Sequence, residues 1–258
     1  MSENGFERVG LVIGGASGIG WAVAKGLVAE GCRVTIGDLN ADGAKARAAE
    51  LGPPHASAGV DVTDEAMVEA LFEGAGPLDV VVNTAGIGGV GRITELPVEQ
   101  FRAVVDVCLV GGFIVTKHAG RHLRDGGSLV SLTSLNARQA APGMSAYCAA
   151  KAGLAMLTQV AALELAARGI RVNAVSPGFV DTPLTEGVKL VPGTLEEYVE
   201  NTPLGRVGTP QDVADAVLFL CSQKASWMTG EVVDLNGGAH LKRYPDILGH
   251  LERMTSAT

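Results

Sequence analysis

Tyr147 and Lys151 stand four residues apart in Ser145-Ala146-Tyr147-Cys148-Ala149-Ala150-Lys151. The stretch that follows is rich in Ala, Leu and Met and free of Pro as far as Arg168-Gly169, so it reads as helix. Positions i and i+4 lie about one helical turn apart, which puts both side chains on one face. A free phenol titrates at about 10 and is a poor base at neutral pH. A neighbouring ammonium favours the phenolate, so the pair has the makings of a proton-transfer unit. The same spacing also describes an ordinary surface pair, and the rest of the chain must decide between them.

The chain that has to position this pair is 258 residues long and 47% hydrophobic, enough for one large α/β domain with a real core. Its formal net charge of −8 argues against nucleic acid and anionic membrane as partners. Residues 1–10 lack a basic region followed by an apolar run, so no secretory signal is expected. Gly, Pro or charge is expected to interrupt the apolar stretches before they could span a bilayer. Cys32, Cys108, Cys148 and Cys221 form no C-x-x-C and read as reduced thiols of a cytoplasmic protein.

Short β-branched runs alternate with helical patterns. Strands are expected at 9–13, 33–37, 58–60, 78–83, 128–133, 170–175 and 232–235. Helices are expected at 18–30, 41–51, 64–74, within 97–124, at 146–167 and at 210–222, with a long loop between 176 and 209. Alternation of this kind predicts an α/β fold: a single Rossmann-type, doubly wound parallel sheet with helices on both faces. No linker breaks the chain, and residues 239–258 form an extension beyond the last strand.

Directly after the first strand comes Gly14-Gly15-Ala16-Ser17-Gly18-Ile19-Gly20, with a helix opening inside it. Glycines there permit a tight turn and close approach of backbone N–H groups to a pyrophosphate, which the helix N-terminus favours. The spacing differs from G-x-G-x-x-G, so position carries the argument more than the motif. Asp38 follows the second strand, where a carboxylate can accept from the adenosine ribose hydroxyls and repel a 2′-phosphate. No Arg or Lys lies in 14–20 or at Leu39 and Asn40, so NAD is expected over NADP. The competing role for Asp38 is to cap helix 41–51, which Asn40 could equally do.

With these residues in hand, the chain resembles the short-chain dehydrogenase/reductase family across residues 8–238. The resemblance rests on ordered motifs: the 14–20 loop, Asp61-Val62, Asn83-Thr84-Ala85-Gly86, Ser134, Tyr147-x-x-x-Lys151, Pro177-Gly178 leading to Thr182, Leu204-Gly205-Arg206 and Asn236-Gly237-Gly238. It implies that Tyr147 is the catalytic acid/base, that Lys151 supports it and binds the nicotinamide ribose, and that Ser134 holds the substrate oxygen. It further implies a cofactor site built from Gly14, Ser17, Gly18, Ile19, Gly20, Asp38, Leu39, Asp61, Val62, Asn83, Ala85, Gly86, Tyr147, Lys151, Pro177, Gly178, Val180 and Thr182. The reaction implied is NAD-dependent interconversion of a secondary alcohol and a ketone. The rival from another class is a non-catalytic NAD-binding scaffold on the same fold.

Two residues depart from the family pattern. Ile13 stands where a threonine is usual. Cys108 stands where an asparagine usually completes a proton relay through its backbone carbonyl and a water; burial as a small apolar residue is the plainer expectation. His118 and His122, at i and i+4, could share a metal face, but no third ligand is evident; no metal is expected, and a polar or subunit-facing role is. Cys148 reads as an inert thiol, and Arg102, Lys117, Arg121 and Arg124 as a solvated or subunit-contacting face. The family's lid corresponds to 183–203, mixing Leu184, Val188, Leu190, Val191, Leu195 and Tyr198 with glutamates and a single cation, Lys189. That lid favours a mostly apolar alcohol or ketone as the small-molecule partner. Helix 146–167 is apolar on more than one face, and the resemblance implies a homotetramer. The extension is expected to pack at a subunit interface, with packing on its own chain the equal alternative.

Overall fold

The structure is a computed structural model that describes residues 8–256; most of the 1–10 segment and residues 257–258 lie outside the described residues. The first half contains β1 (Arg8–Ile13), α1 (Gly18–Ala29), β2 (Cys32–Asp38), α2 (Ala41–Leu51), β3 (Ala56–Gly59), α3 (Glu65–Ala75) and β4 (Leu78–Asn83). Next, α4 (Val98–Val105) runs through a π-helical turn, Asp106–Val110, into α5 (Gly111–His122), followed by β5 (Leu123–Leu132), α6 (Ser145–Leu165) and β6 (Arg171–Pro177). The chain closes with α7 (Glu186–Lys189), α8 (Thr194–Glu200), α9 (Pro210–Cys221), β7 (Val232–Leu235) and α10 (Ile247–Ser256).

The seven strands are parallel and ordered β3-β2-β1-β4-β5-β6-β7. Alternate side chains of each strand point to opposite faces. Val80 and Val82 of β4 therefore join one core with α1, α2 and α9, while Val81 joins the other with α3, α5 and α6, as does Leu78 across the register shift between Leu78 and Val80. Strands buried on both sides read as continuous apolar runs, which is why this sheet was legible as parallel. The strand order reverses between β1 and β4, and such a switch point opens a crevice at the strand C-termini.

Local chemistry sets the helix ends. Asp64 caps α3 through the N–H groups of Ala66 and Met67. Thr209 and Asp212 form a capping box on α9 behind Pro210, with Arg206 gripping both Asp212 oxygens. Asn40, not Asp38, caps α2 by accepting from Gly43 N–H, which leaves Asp38 for the crevice.

Two expectations need correcting. The segment expected as a long loop after β6 holds α7 and α8, so the lid is helical. Residues Ser145–Arg168, with mean hydropathy 1.3, are long and apolar enough to cross a membrane by length and composition. The expected interruption is absent because Lys151 and Glu164 are the only charges before Arg168. Here that helix packs across β6 and buries Ala146, Ala150, Leu154, Ala161 and Ala162. His118 makes its polar contact inside the fold. It is buried beside Phe72, with Nε2 3.2 Å from Glu65 Oε1, while His122 Nδ1 meets the His118 carbonyl.

Candidate active site

Two clefts meet above the C-terminal edge of the sheet. The first, about 340 Å³, follows the switch point between β1 and β4. Of the residues implied as cofactor-binding, all but Asn83 line it. Asn83 is buried and its carboxamide oxygen accepts from Ala85 N–H, so it shapes the loop that Ala85 and Gly86 present. The second cleft, also about 340 Å³, lies under α7, α8 and the C-terminal segment. Ser134, Tyr147, Pro177 and Gly178 belong to both walls.

The loop after β1 is held open from below. Gly14 has φ 77° and Gly18 φ 51°, both in the region that favours glycine. A Cβ on Gly20 would lie 2.2 Å from Gly14 O, so this position admits no side chain. The hydroxyl missing at Ile13 is supplied from across the sheet, where Thr84 Oγ1 donates to Ile13 O at 2.8 Å. Ser17, the N-cap of α1, makes no capping bond with its side chain. The first N–H groups of α1 therefore face the cleft, an arrangement suited to a pyrophosphate. Asp38 is fixed by Ala16 N–H at 2.9 Å and Asn40 N–H at 2.9 Å and lines the same cleft. Asp61 lies deeper along the wall; hydrogen bonds from the Thr63 hydroxyl and N–H hold its carboxyl below the usual range.

Lys151 is 3% exposed, and one of its three donors goes to Leu132 O at 2.8 Å. Its Nζ sits 5.6 Å from the centre of the Tyr147 ring. A buried ammonium facing a cleft needs further acceptors, and ribose hydroxyls are of that kind. The uncapped helix end and this lysine together fit a nicotinamide dinucleotide. Ser134, on the wall shared by both clefts, accepts at Oγ from Asn136 N–H at 3.2 Å and donates to Asn136 Oδ1 at 3.4 Å.

Cys108 is buried, as expected, but it is not merely packed. It lies in the π-helical turn, and its Sγ meets Ile87 N at 3.4 Å and Ile87 O at 3.3 Å. The thiol so pins the loop after β4. A Cβ on Gly86 would come within 3.4 Å of Lys151 Nζ and 3.6 Å of Cys108 Sγ, which places the thiol beside the lysine.

Other residues at the site escaped sequence reasoning. Arg47 of α2 lies over the Trp21 ring and donates from Nε to Ala16 O at 3.2 Å, bringing a cation to the Asp38 end. Tyr198 and Tyr244 line the second cleft with Tyr147, so all three tyrosines of the chain share one cavity. That convergence was hidden because the three are far apart in sequence. The C-terminal segment covers its own chain: Arg243, Asp246 N–H and His250 all bind Glu197 of α8. Lys189, the lid's cation, is spent on Asp181 and Glu186.

The comparisons agree with this geometry. A family described as enoyl-(acyl carrier protein) reductase matches residues 14–240. Cis-4-hydroxycyclohexanecarboxylate dehydrogenase of Sinomonas cyclohexanicum is 41% identical over 247 residues, covering 92% of this chain and 98% of the relative. A short-chain type dehydrogenase/reductase from Mycobacterium ulcerans superposes with TM-score 0.91 at 36% identity, over 96% of this chain and 95% of that one. A 3-ketoacyl-(acyl-carrier-protein) reductase from Brucella melitensis, solved with NADH, gives TM-score 0.84 at 32% identity, over 91% and 99%. With a doubly wound sheet, a glycine loop at its switch point and Ser134, Tyr147 and Lys151 beside it, the chain belongs to the short-chain dehydrogenase/reductase family, oxidoreductases that work with a nicotinamide cofactor.

Proposed function

We propose that the protein interconverts a secondary alcohol on an apolar ring with the corresponding ketone, using NAD. The observation that carries this reading is the meeting of the two clefts at Ser134 and Tyr147, with the Lys151 ammonium buried behind them. In oxidation, Tyr147 takes the proton of the substrate hydroxyl while Ser134 Oγ–H holds the same oxygen. The Lys151 ammonium stabilises negative charge on the phenol oxygen and binds the ribose. The nicotinamide, when bound, supplies the acceptor for the hydride leaving the same carbon. The preference for NAD is supported by the Asp38 carboxylate on the wall of the first cleft. A ring substrate is supported by the apolar second cleft, walled by Val90, Leu135, Phe179, Leu184 and Val191, and by the carbocyclic substrate named for the Sinomonas relative.

Assembly into a homotetramer in the cytoplasm belongs to the same proposal. Phe113, Met156, Val160 and Leu163 leave an exposed apolar face on α5 and α6, and light scattering that returned a monomer would overturn it. Turnover is tested by following NADH absorbance with a panel of cyclic secondary alcohols at pH 8–9. Tyr147→Phe should lose roughly 10²-fold or more in rate; turnover at the parental rate would sink the mechanism.

A further inference from the structure

The second cleft holds a hydrogen-bond array that starts at Ser134, whose Oγ lies 3.4 Å from Asn136 Oδ1, and runs on beyond the reacting groups. Tyr198 of α8 and Tyr244 of the C-terminal segment meet oxygen to oxygen at 2.8 Å. Tyr244 also lies 3.2 Å from Asn136 Oδ1. Asn136 is buried, and its Nδ2 donates to Gln139 O at 3.2 Å, which sets the direction of the carboxamide. Its Oδ1 can only accept, and it draws the Tyr244 proton ahead of the weak thioether acceptor Met144 Sδ at 3.6 Å. The Tyr198 proton must then point to Tyr244. Burial pushes both phenols up, so both stay protonated at neutral pH. Both protons are thereby spent, and the Tyr198 oxygen is left with an unused lone pair in a mostly apolar cavity. A buried acceptor without a donor costs free energy. A substrate carbonyl, ether or carboxylate at that point would add a second acceptor, whereas a hydroxyl would supply the missing proton.

We propose that Tyr198, oriented by Tyr244 and Asn136, is a specificity-determining acceptor for a second hydroxyl on the ring, so that the preferred substrate is a carbocyclic diol. This deepens the reading of the site as a cyclic-alcohol dehydrogenase and rests on it. One hydroxyl-bearing carbon loses hydride to the oxidised nicotinamide and its proton to Tyr147, giving a hydroxyketone. The other hydroxyl stays intact and donates to Tyr198. Of the other polar residues of this wall, Arg243 is held by Glu197, Asn201 and Thr202 donate to the carbonyls of Glu197 and Tyr198, and Gln139 donates from Nε2 to Lys242 O while its buried Oε1 has no partner.

The test compares kcat/KM of the full-length protein for cyclohexanol, the cyclohexanediols and 4-hydroxycyclohexanecarboxylate, with NAD and with NADP. The best diol isomer should exceed cyclohexanol by about 3- to 10-fold per reactive hydroxyl, the scale of one neutral hydrogen bond. Tyr198→Phe should collapse that ratio. Tyr244→Phe frees the Tyr198 proton and should turn the preference toward 4-hydroxycyclohexanone, whose second group only accepts. Equal kcat/KM for diol and cyclohexanol overturns the acceptor and leaves the dehydrogenase reading standing. Preference for the carboxylate over every diol also overturns it, in favour of Arg243. If no ring alcohol is oxidised, the dehydrogenase reading fails. Calorimetric binding to the cofactor-loaded protein then still decides the acceptor, and equal Kd for diol and cyclohexanol refutes it.

Discussion

Glu197 is where the lid is tied to the end of the chain, and its removal should release both. The carboxylate is 9% exposed and accepts from Arg243, from His250 Nε2 at 2.8 Å and from Asp246 N–H at 3.0 Å. Burial pushes its carboxyl up, but hydrogen bonds from Arg243, His250 and the Asp246 N–H outweigh that and hold it below the usual range. The Arg243 side chain is largely exposed, so its ion pair is screened and adds little. Counting about 1 kcal/mol for each of the three hydrogen bonds, Glu197→Ala should cost the docked segment roughly 3 kcal/mol. At 1.4 kcal/mol per decade that is about 10² in the local opening constant. Amide exchange over residues 244–251 at pH 7 should therefore quicken about 10²-fold in the variant, while β1 and β4 exchange as before. The sign with pH follows from the lowered carboxyl. Its contribution is complete above about 4.3, the ordinary glutamate value, and is lost as pH falls through the lower folded value. Parent and variant should thus converge only as the pH falls through that lowered value. Equal exchange of 244–251 in the two proteins at pH 7 would refute the reasoning.

Three further perturbations probe the cofactor side. Asp38→Ala, with Arg47 already at Ala16 O, should raise the NADP/NAD ratio of kcat/KM by roughly 10-fold; a parent that already prefers NADPH contradicts the role given to Asp38. Cys108→Asn keeps a donor and an acceptor for Ile87 and should leave kcat within about threefold, whereas Cys108→Ala should lower stability by about 1 kcal/mol. A large loss of rate in the folded asparagine variant would mean that the thiol has a task of its own. Gly20→Ala forces a Cβ against Gly14 O and Thr84 Oγ1, at 2.2 and 2.6 Å, and should cost about 1–3 kcal/mol or more. That corresponds to a Tm lower by about 2–4 °C for each kcal/mol in a chain of this size, and an unchanged melt would refute the packing argument.

The sequence by itself determined what depends on near neighbours and on period. Apolar runs buried on both faces marked the strands, and Ala- and Leu-rich stretches marked the helices, because both signals are local. The order of Gly14–Gly20, Asp38, Ser134 and Tyr147-x-x-x-Lys151 along the chain reflects a topology that brings strand ends to one edge, so the cofactor wall was legible almost residue by residue. Only the tertiary structure decided what depends on distant partners. The lid was read as loop because α7 and α8, of four and seven residues, are too short to carry a periodic signal. The burial of His118 against Phe72 comes from another helix, which composition cannot reveal. Thr84 replacing the hydroxyl absent at Ile13, the Cys108 grip on Ile87, and the meeting of Tyr198, Tyr244 and Asn136 each join residues 21 to 108 positions apart. Such contacts exist only once the sheet has gathered its loops. They shape the substrate cavity, so the chemistry was legible in the sequence while the polar groups that would select a substrate were not.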